Sequence, residues 1–297
     1  MAGFGFAKIL YHPAGLSFLS KSVDEEMRGE GIGLHESMGN IGAGFAFIVV
    51  GLLGGWLGWR LALILMTAPA LILAISNLVL GSGLGGDFPG EPTDPEEDPS
   101  GDGVGGVLGI EDEKLTPFYF QIGSSIIGGV GFGAFVTFLA SFLNQVYGLS
   151  TGLAGLLVGM SYLLGFFGNL FGGKISDRIG EVLSYTIFMS LAALPILMVV
   201  LLDVPLFLLI PSLALCFLLR SLGNPADKSL LAEHSSISGR GRGYGSLFTS
   251  YTFGSFASAP LFGFLIDSFG MKSAFLLIPI LFIIGAAVRY RVRQYSD

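Results

Sequence analysis

Residues 28–60, RGEGIGLHESMGNIGAGFAFIVVGLLGGWLGWR, decide the reading of this chain once they are laid over residues 240–272, RGRGYGSLFTSYTFGSFASAPLFGFLIDSFGMK. Without a gap, Arg28, Gly29, Gly31, Gly33, Gly42, Gly51 and Gly58 fall on Arg240, Gly241, Gly243, Gly245, Gly254, Gly263 and Gly270, and Arg60 meets Lys272. The offset of 212 also works upstream, where HPAGLS from His12 lies over NPADKS from Asn224 and Lys8 falls on Arg220. One constant offset that carries two prolines and a run of glycines points to an internal duplication.

The composition places that duplication in a bilayer. Hydrophobic residues make up 52% of the chain, charged residues 12%, and the mean hydropathy is +0.74. Apolar segments recur near residues 2–20, 32–56, 60–83, 118–146, 151–173, 182–203, 206–232, 243–267 and 271–294, most of them close to the roughly 20 residues a helix needs to span the hydrocarbon. An all-α polytopic membrane fold follows, since backbone groups in lipid must be satisfied within the segment. No basic region precedes the first apolar run, which speaks against a cleavable signal. Cys216, inside an apolar run, reads as packing.

Residues 84–117 break the pattern. They hold ten acids (Asp87, Glu91, Asp94, Glu96, Glu97, Asp98, Asp102, Glu111, Asp112, Glu113) against Lys114 alone, with Pro and Gly throughout. Such a stretch buries too little to fold and is expected to be a disordered linker between residues 1–83, a partial N-terminal bundle, and residues 118–297, a complete six-helix bundle. If both units have one length, about 95 residues, three helices and the opening of a fourth, are expected before Met1. Lysine and arginine set the orientation: Lys21, Arg28, Lys114, Lys174, Arg178, Arg240, Arg242, Arg289, Arg291 and Arg293 share one side, against Arg60 and Lys272 on the other. The first side, with the linker and C-terminus, is expected to be cytoplasmic in a cell membrane.

The loop after the second helix of the second unit reads GGKISDRIGE, residues 172–181. With the repeat, this resembles the major facilitator superfamily: Gly173, Ser176, Asp177, Arg178 and Gly180 match its loop signature, while Glu181 and Val182 stand where basic residues are usual. Within that superfamily His12, Pro13, Gly39, Asn40 and Gly42 resemble the fosmidomycin-resistance type of efflux carrier. Drug/proton antiporters carry Gly-Pro in the fifth helix. Ala46-Phe47 departs from that pattern, and Pro260 keeps it in the eleventh. The resemblance implies secondary transport of a small solute by alternating access, in the efflux direction, impaired in a chain that lacks its first helices.

Candidate residues follow. Lys8 and Arg220 occupy equivalent positions in helices that the resemblance places on the central cavity, and two cations there suit a phosphonate or other anionic solute; the alternative is that Arg220 pairs with Asp227 or a backbone carbonyl. His12 and Glu36 are titratable and are candidates for a coupling proton, with Asn224 alongside. Glu36 also fits a helix-end carboxylate. His35 should point away from the cavity, because neighbouring helical residues lie about 100° apart. The resemblance implies that Asp177, with Gly173, Arg178 and Gly180, latches the cytoplasmic side by seating a carboxylate on the start of the helix near Gly31 to Gly33. A local bridge from Asp177 to Arg178 is the alternative. Asn144, Gln145 and Asn169 are read chiefly as helix-to-helix hydrogen bonders, and Gly155/Gly159 and Gly168/Gly172 as close-packing spacings.

Other functions are weaker. GMSY at residues 159–162 faintly resembles a serine-protease loop, but His234 falls in a joint; no His-Glu-x-x-His metal pair exists, so neither catalytic residues nor a metal or cofactor are expected. RGRGYG lies in a membrane-protein joint, so nucleic acid is not an expected partner. A non-transporting membrane remnant or scaffold is the remaining alternative.

Overall fold

Apolar backbone must pair its own N–H and C=O groups when water is absent, and each predicted segment is helical. A computed structural model describes residues 2–81, 103–202 and 204–295, with the side chains of residues 2–11 and of Glu25, Trp59, Asn77, Leu78 and Leu80 left aside. The long helices are α1 (Ala2–Ser22), α2 (Arg28–Leu57), α3 (Trp59–Gly81), α5 (Leu115–Tyr147), α6 (Thr151–Ile179), α7 (Glu181–Leu201), α8 (Leu206–His234) and α9 (Arg240–Phe269). The last predicted segment is broken into α10 (Met271–Phe275) and α11 (Leu277–Tyr290). Pro279 explains the break, since its ring clashes with the carbonyl four residues back, that of Phe275. Six helices among the described residues are long and apolar enough to cross a membrane, and no strand is present among them beyond an isolated bridge between Ile110 and Ser235.

Three connections consist of a single glycine. Gly58, Gly180 and Gly270 have φ of 79, 87 and 84° with ψ of 151, 148 and 160°, a region open essentially to glycine alone. They join α2 to α3, α6 to α7 and α9 to α10. The bounds of α2 and α9 and their terminal glycines coincide at the offset of 212.

Two apolar cores bracket the molecule. At one end Phe135, Phe142, Phe217 and Phe275 gather from α5, α8 and α10, with the Phe142 and Phe275 rings stacked at 4.3 Å. At the other, Leu16, Ile32, Phe118, Leu231, Tyr244 and Leu247 close around Ile110. Glycine governs the contact of α2 with α6. A Cβ on Gly33 would lie 2.4 Å from the Asn169 carbonyl oxygen, and one on Gly155 2.9 Å from the Gly51 Cα, so the two backbones touch directly. Gly168 and Gly172 serve α8 in the same way, facing the Leu218 and Leu222 carbonyls.

The predicted linker needs correction at its end. Residues 103–117 are folded: α4 (Val104–Leu108) leads to Ile110, fully buried and bridged to Ser235, and α5 begins at Leu115. Ten acids make the stretch read as solvated, yet Ile110, with Leu108 packed beside it, is buried against Leu231 of α8 and Tyr244 and Leu247 of α9 and straps the segment there, while Val104 and Val107 stay exposed. Residues 84–102, where most of the acids lie, are outside the described set. Arg28, Arg240 and Arg289 were expected in solvated joints and are instead buried, Arg289 completely. Arg240 donates from Nη1 to the Ser20 carbonyl at 2.8 Å.

Candidate functional site

Between the two cores lies a cavity of about 540 Å³, walled by α1, α2, α5, α6, α7, α8, α9 and α11. Polar residues enter it from helices that are otherwise apolar, and each charge there must be matched or aimed at the cavity. Glu36 of α2 pairs with Lys228 of α8 through Oε2 at 3.5 Å. Asp227 pairs with Arg289 of α11, whose guanidinium also donates to the Gln121 carbonyl at 3.3 Å and lies 4.3 Å from the Tyr185 ring centroid. Gln121 Nε2 donates to the Asp227 backbone carbonyl at 2.7 Å, and its Oε1 meets His234 Nδ1 at 3.0 Å.

Arg220 has a different environment. Its guanidinium carbon lies 3.4 Å from the Phe132 ring centroid, and Nη2 donates to the Tyr251 hydroxyl at 3.3 Å. No carboxylate pairs with it among the described residues, so the expected alternative of an Arg220–Asp227 pair gives way to Asp227–Arg289. Stacking on an aromatic face suits arginine, whose planar cation is weakly hydrated. The result is a preformed cation facing open space.

The other sequence candidates divide. His12 lines the cavity and stacks on Phe248 at 5.1 Å between centroids, and Glu36 lines it beside them. Asn224 reaches the wall too, donating to Asn169 Oδ1 at 3.4 Å, so Asn169 has the helix-to-helix role assigned to it. Asn144 instead caps the end of its own helix, donating to the Leu149 carbonyl at 2.7 Å. The Lys8 side chain lies outside the described residues. His35 departs from expectation: it lines the cavity together with Glu36, because the space between α1, α2, α8 and α9 spans more than the 100° arc separating the two. The sequence reading does not find Lys228 of α8, Tyr251 of α9 and Tyr162 of α6, all of which line the cavity.

At the end of α6 opposite the phenylalanine core, Asp177 accepts from the Gly29 N–H at 3.1 Å and from the Glu30 N–H at 3.2 Å. These are the first N–H groups of α2, where the helix dipole favours a carboxylate. α2 begins at Arg28, a few residues before the expected start. Gly173 lets the helices meet there, since a Cβ on it would lie 2.1 Å from the Gly29 carbonyl oxygen. Lys174 adds an exposed bridge to Glu30 at 3.0 Å, Arg178 is exposed, and Gly180 starts the next helix. The serine-protease reading finds no constellation: Ser161 donates to the Leu157 carbonyl, and His234 is tied to Gln121.

The sequence matches the family model described as Major Facilitator Superfamily over residues 1–224 and again over residues 123–297. No curated protein matches the chain significantly. Among solved structures it is similar to the E. coli fucose:proton symporter FucP, at 18% identity and TM-score 0.67, covering 96% of this chain and 73% of that one. A second structure of FucP, in the outward conformation, gives 17% and 0.68, with 96% and 72% covered. The human organic anion transporter MFSD10 gives 18% and 0.69, with 93% and 67% covered.

Proposed function

The chain belongs to the Major Facilitator Superfamily, and from that premise we propose that it exports a small anionic solute, of phosphonate type, by alternating access in the manner of the fosmidomycin-resistance branch. Arg220 carries the reading. With Glu36 and Asp227 each matched by a cation, the cavity is left with a surplus positive charge presented on an aromatic and hydroxyl cradle. An anion entering there gains a charge-assisted contact in a desolvated space, and a cation is repelled. Asn224, one turn on from Arg220 in α8, and Asn40 of α2 supply hydrogen bonding, and His12 and Glu36 are the candidate proton-coupling groups.

The gate is the contact of Asp177 with the start of α2. It closes the side predicted to be cytoplasmic, and the cavity is released inward when Gly29 and Glu30 leave the carboxylate. Two half-bundles rocking about a midplane site suit a duplicated chain. Duplication is supported by the shared bounds of α2 and α9.

The test is transport in proteoliposomes. Preloaded vesicles carrying the purified chain should exchange a radiolabelled small phosphonate saturably. Arg220→Gln should reduce that exchange about 10-fold or more, the value of one hydrogen-bonded ion contact at roughly 1.5–3 kcal/mol. Exchange by Arg220→Gln at the rate of the parent chain, or carriage of neutral and cationic solutes alone, overturns the reading.

A further inference from the structure

Where α1 meets α2 the cavity wall carries three metal-ligating side chains. His12, His35 and Glu36 each offer one ligand atom, and these atoms all lie within 4.8 Å of one another. All three side chains are half-buried and face the cavity. We propose that this cluster binds one divalent transition-metal ion on the cavity wall, of the class of Zn²⁺ and Co²⁺.

The donor set selects that class. Two imidazoles with one carboxylate suit Zn²⁺ and the late first-row metals, whereas Mg²⁺ and Ca²⁺ favour all-oxygen shells. Ligand atoms around such an ion sit roughly 2.0–2.2 Å from it, so the cluster must contract by rotation of the three half-buried side chains. The stack of His12 on Phe248 fixes one ring plane. Adjacent positions on α2 supply the other two ligands.

Lys228 is the competing charge. Its ammonium meets Glu36 at Oε2, and a metal ion would compete with it for the acceptor sites of the carboxylate. Metal and lysine are thus alternative partners for one acid. Three protein ligands leave at least one coordination position toward the cavity, open to water or to an oxygen of a bound solute. The cluster shares His12 and Glu36 with the proposed proton coupling but needs nothing from Arg220, so the Arg220 variant separates it from the anion reading.

The experiment uses the whole chain, purified in detergent without a histidine tag, stripped with chelator and titrated with Co²⁺. Expected are one Co²⁺ per chain, a visible d–d spectrum of nitrogen and oxygen ligation, and displacement by Zn²⁺. His35→Ala and Glu36→Gln should each weaken binding by at least the roughly 10- to 100-fold seen when only the supporting shell of a metal site is disturbed. Absence of stoichiometric Co²⁺ uptake by the parent chain overturns the proposal, and so does unchanged affinity in His35→Ala. The spectrum of the parent chain does not depend on any variant folding. Arg220→Gln should bind Co²⁺ as the parent does while losing phosphonate exchange, which separates failure of this site from failure of the anion reading.

Discussion

Gly173→Ala should open the contact between α6 and α2. The added Cβ would lie 2.1 Å from the Gly29 carbonyl oxygen, 2.5 Å from its carbonyl carbon and 2.8 Å from the Glu30 Cα. All three are backbone atoms, so no side chain can swing aside, and ordinary contact requires the helices to part by about 1.3 Å. That movement carries the Gly29 and Glu30 N–H groups from 3.1 and 3.2 Å to about 4 Å or more from Asp177, beyond hydrogen-bonding range. A hydrogen bond to a charged group is worth roughly 1.5–3 kcal/mol; Asp177 is exposed, so the low end applies and the pair is worth about 2–3 kcal/mol. The equilibrium should shift about 30- to 140-fold toward the open state. Spin labels at Glu26→Cys and Ile179→Cys, with Cys216→Ser as background, flank this contact, and pulsed dipolar spectroscopy should show a longer, broader distance population. Asp177→Asn removes the charge without the clash and should give a smaller shift in the same direction. A distance distribution for Gly173→Ala that matches the parent would refute the reasoning.

Further expectations concern the cavity and its strap. Arg220→Lys should retain charge but lose the planar stack on Phe132 and the Nη2 hydrogen bond to Tyr251, so the solute KM in proteoliposomes should rise about tenfold and stay below that of Arg220→Gln. Arg289→Met leaves the half-buried Asp227 carboxylate with only its hydrogen bond from Gln121 and should cost about 3 kcal/mol; thermal unfolding in detergent should show Asp227→Asn combined with Arg289→Met recovering part of that loss, and strict additivity would contradict it. Gly109 has φ of +71°, and a Cβ there would lie 2.1 Å from the Gly239 carbonyl oxygen. Gly109→Ala should therefore release residues 103–114 and speed their backbone hydrogen exchange, while α5 beyond its first turns stays protected.

Hydropathy made the helices legible because every spanning segment obeys one rule, internal satisfaction of its backbone, that acts on local sequence. The glycine register went further, since the bounds of α2 and α9 differ by the same 212 positions. The charges were harder. Arg289 reads as one of the cations on the cytoplasmic side, and nothing local distinguishes a cation that snorkels to water from one that turns inward to an acid on another helix. Asp227 sits beside Lys228, yet its partner comes from α11, some sixty residues on. His35 was turned away by a helical-wheel argument that treats a cavity as a line, when its real width depends on how four helices splay. The strap shows the opposite failure, since ten acids masked a short apolar run whose partner, Ser235, lies over a hundred positions later.

Gly58, Gly180 and Gly270 have a mechanical consequence. A joint one residue long has no slack, so displacement of one helix is passed undamped to the next, and the chain travels as paired rods. Lengthening any of these joints would uncouple the rods, which makes the three glycines the places where an insertion should be least tolerated.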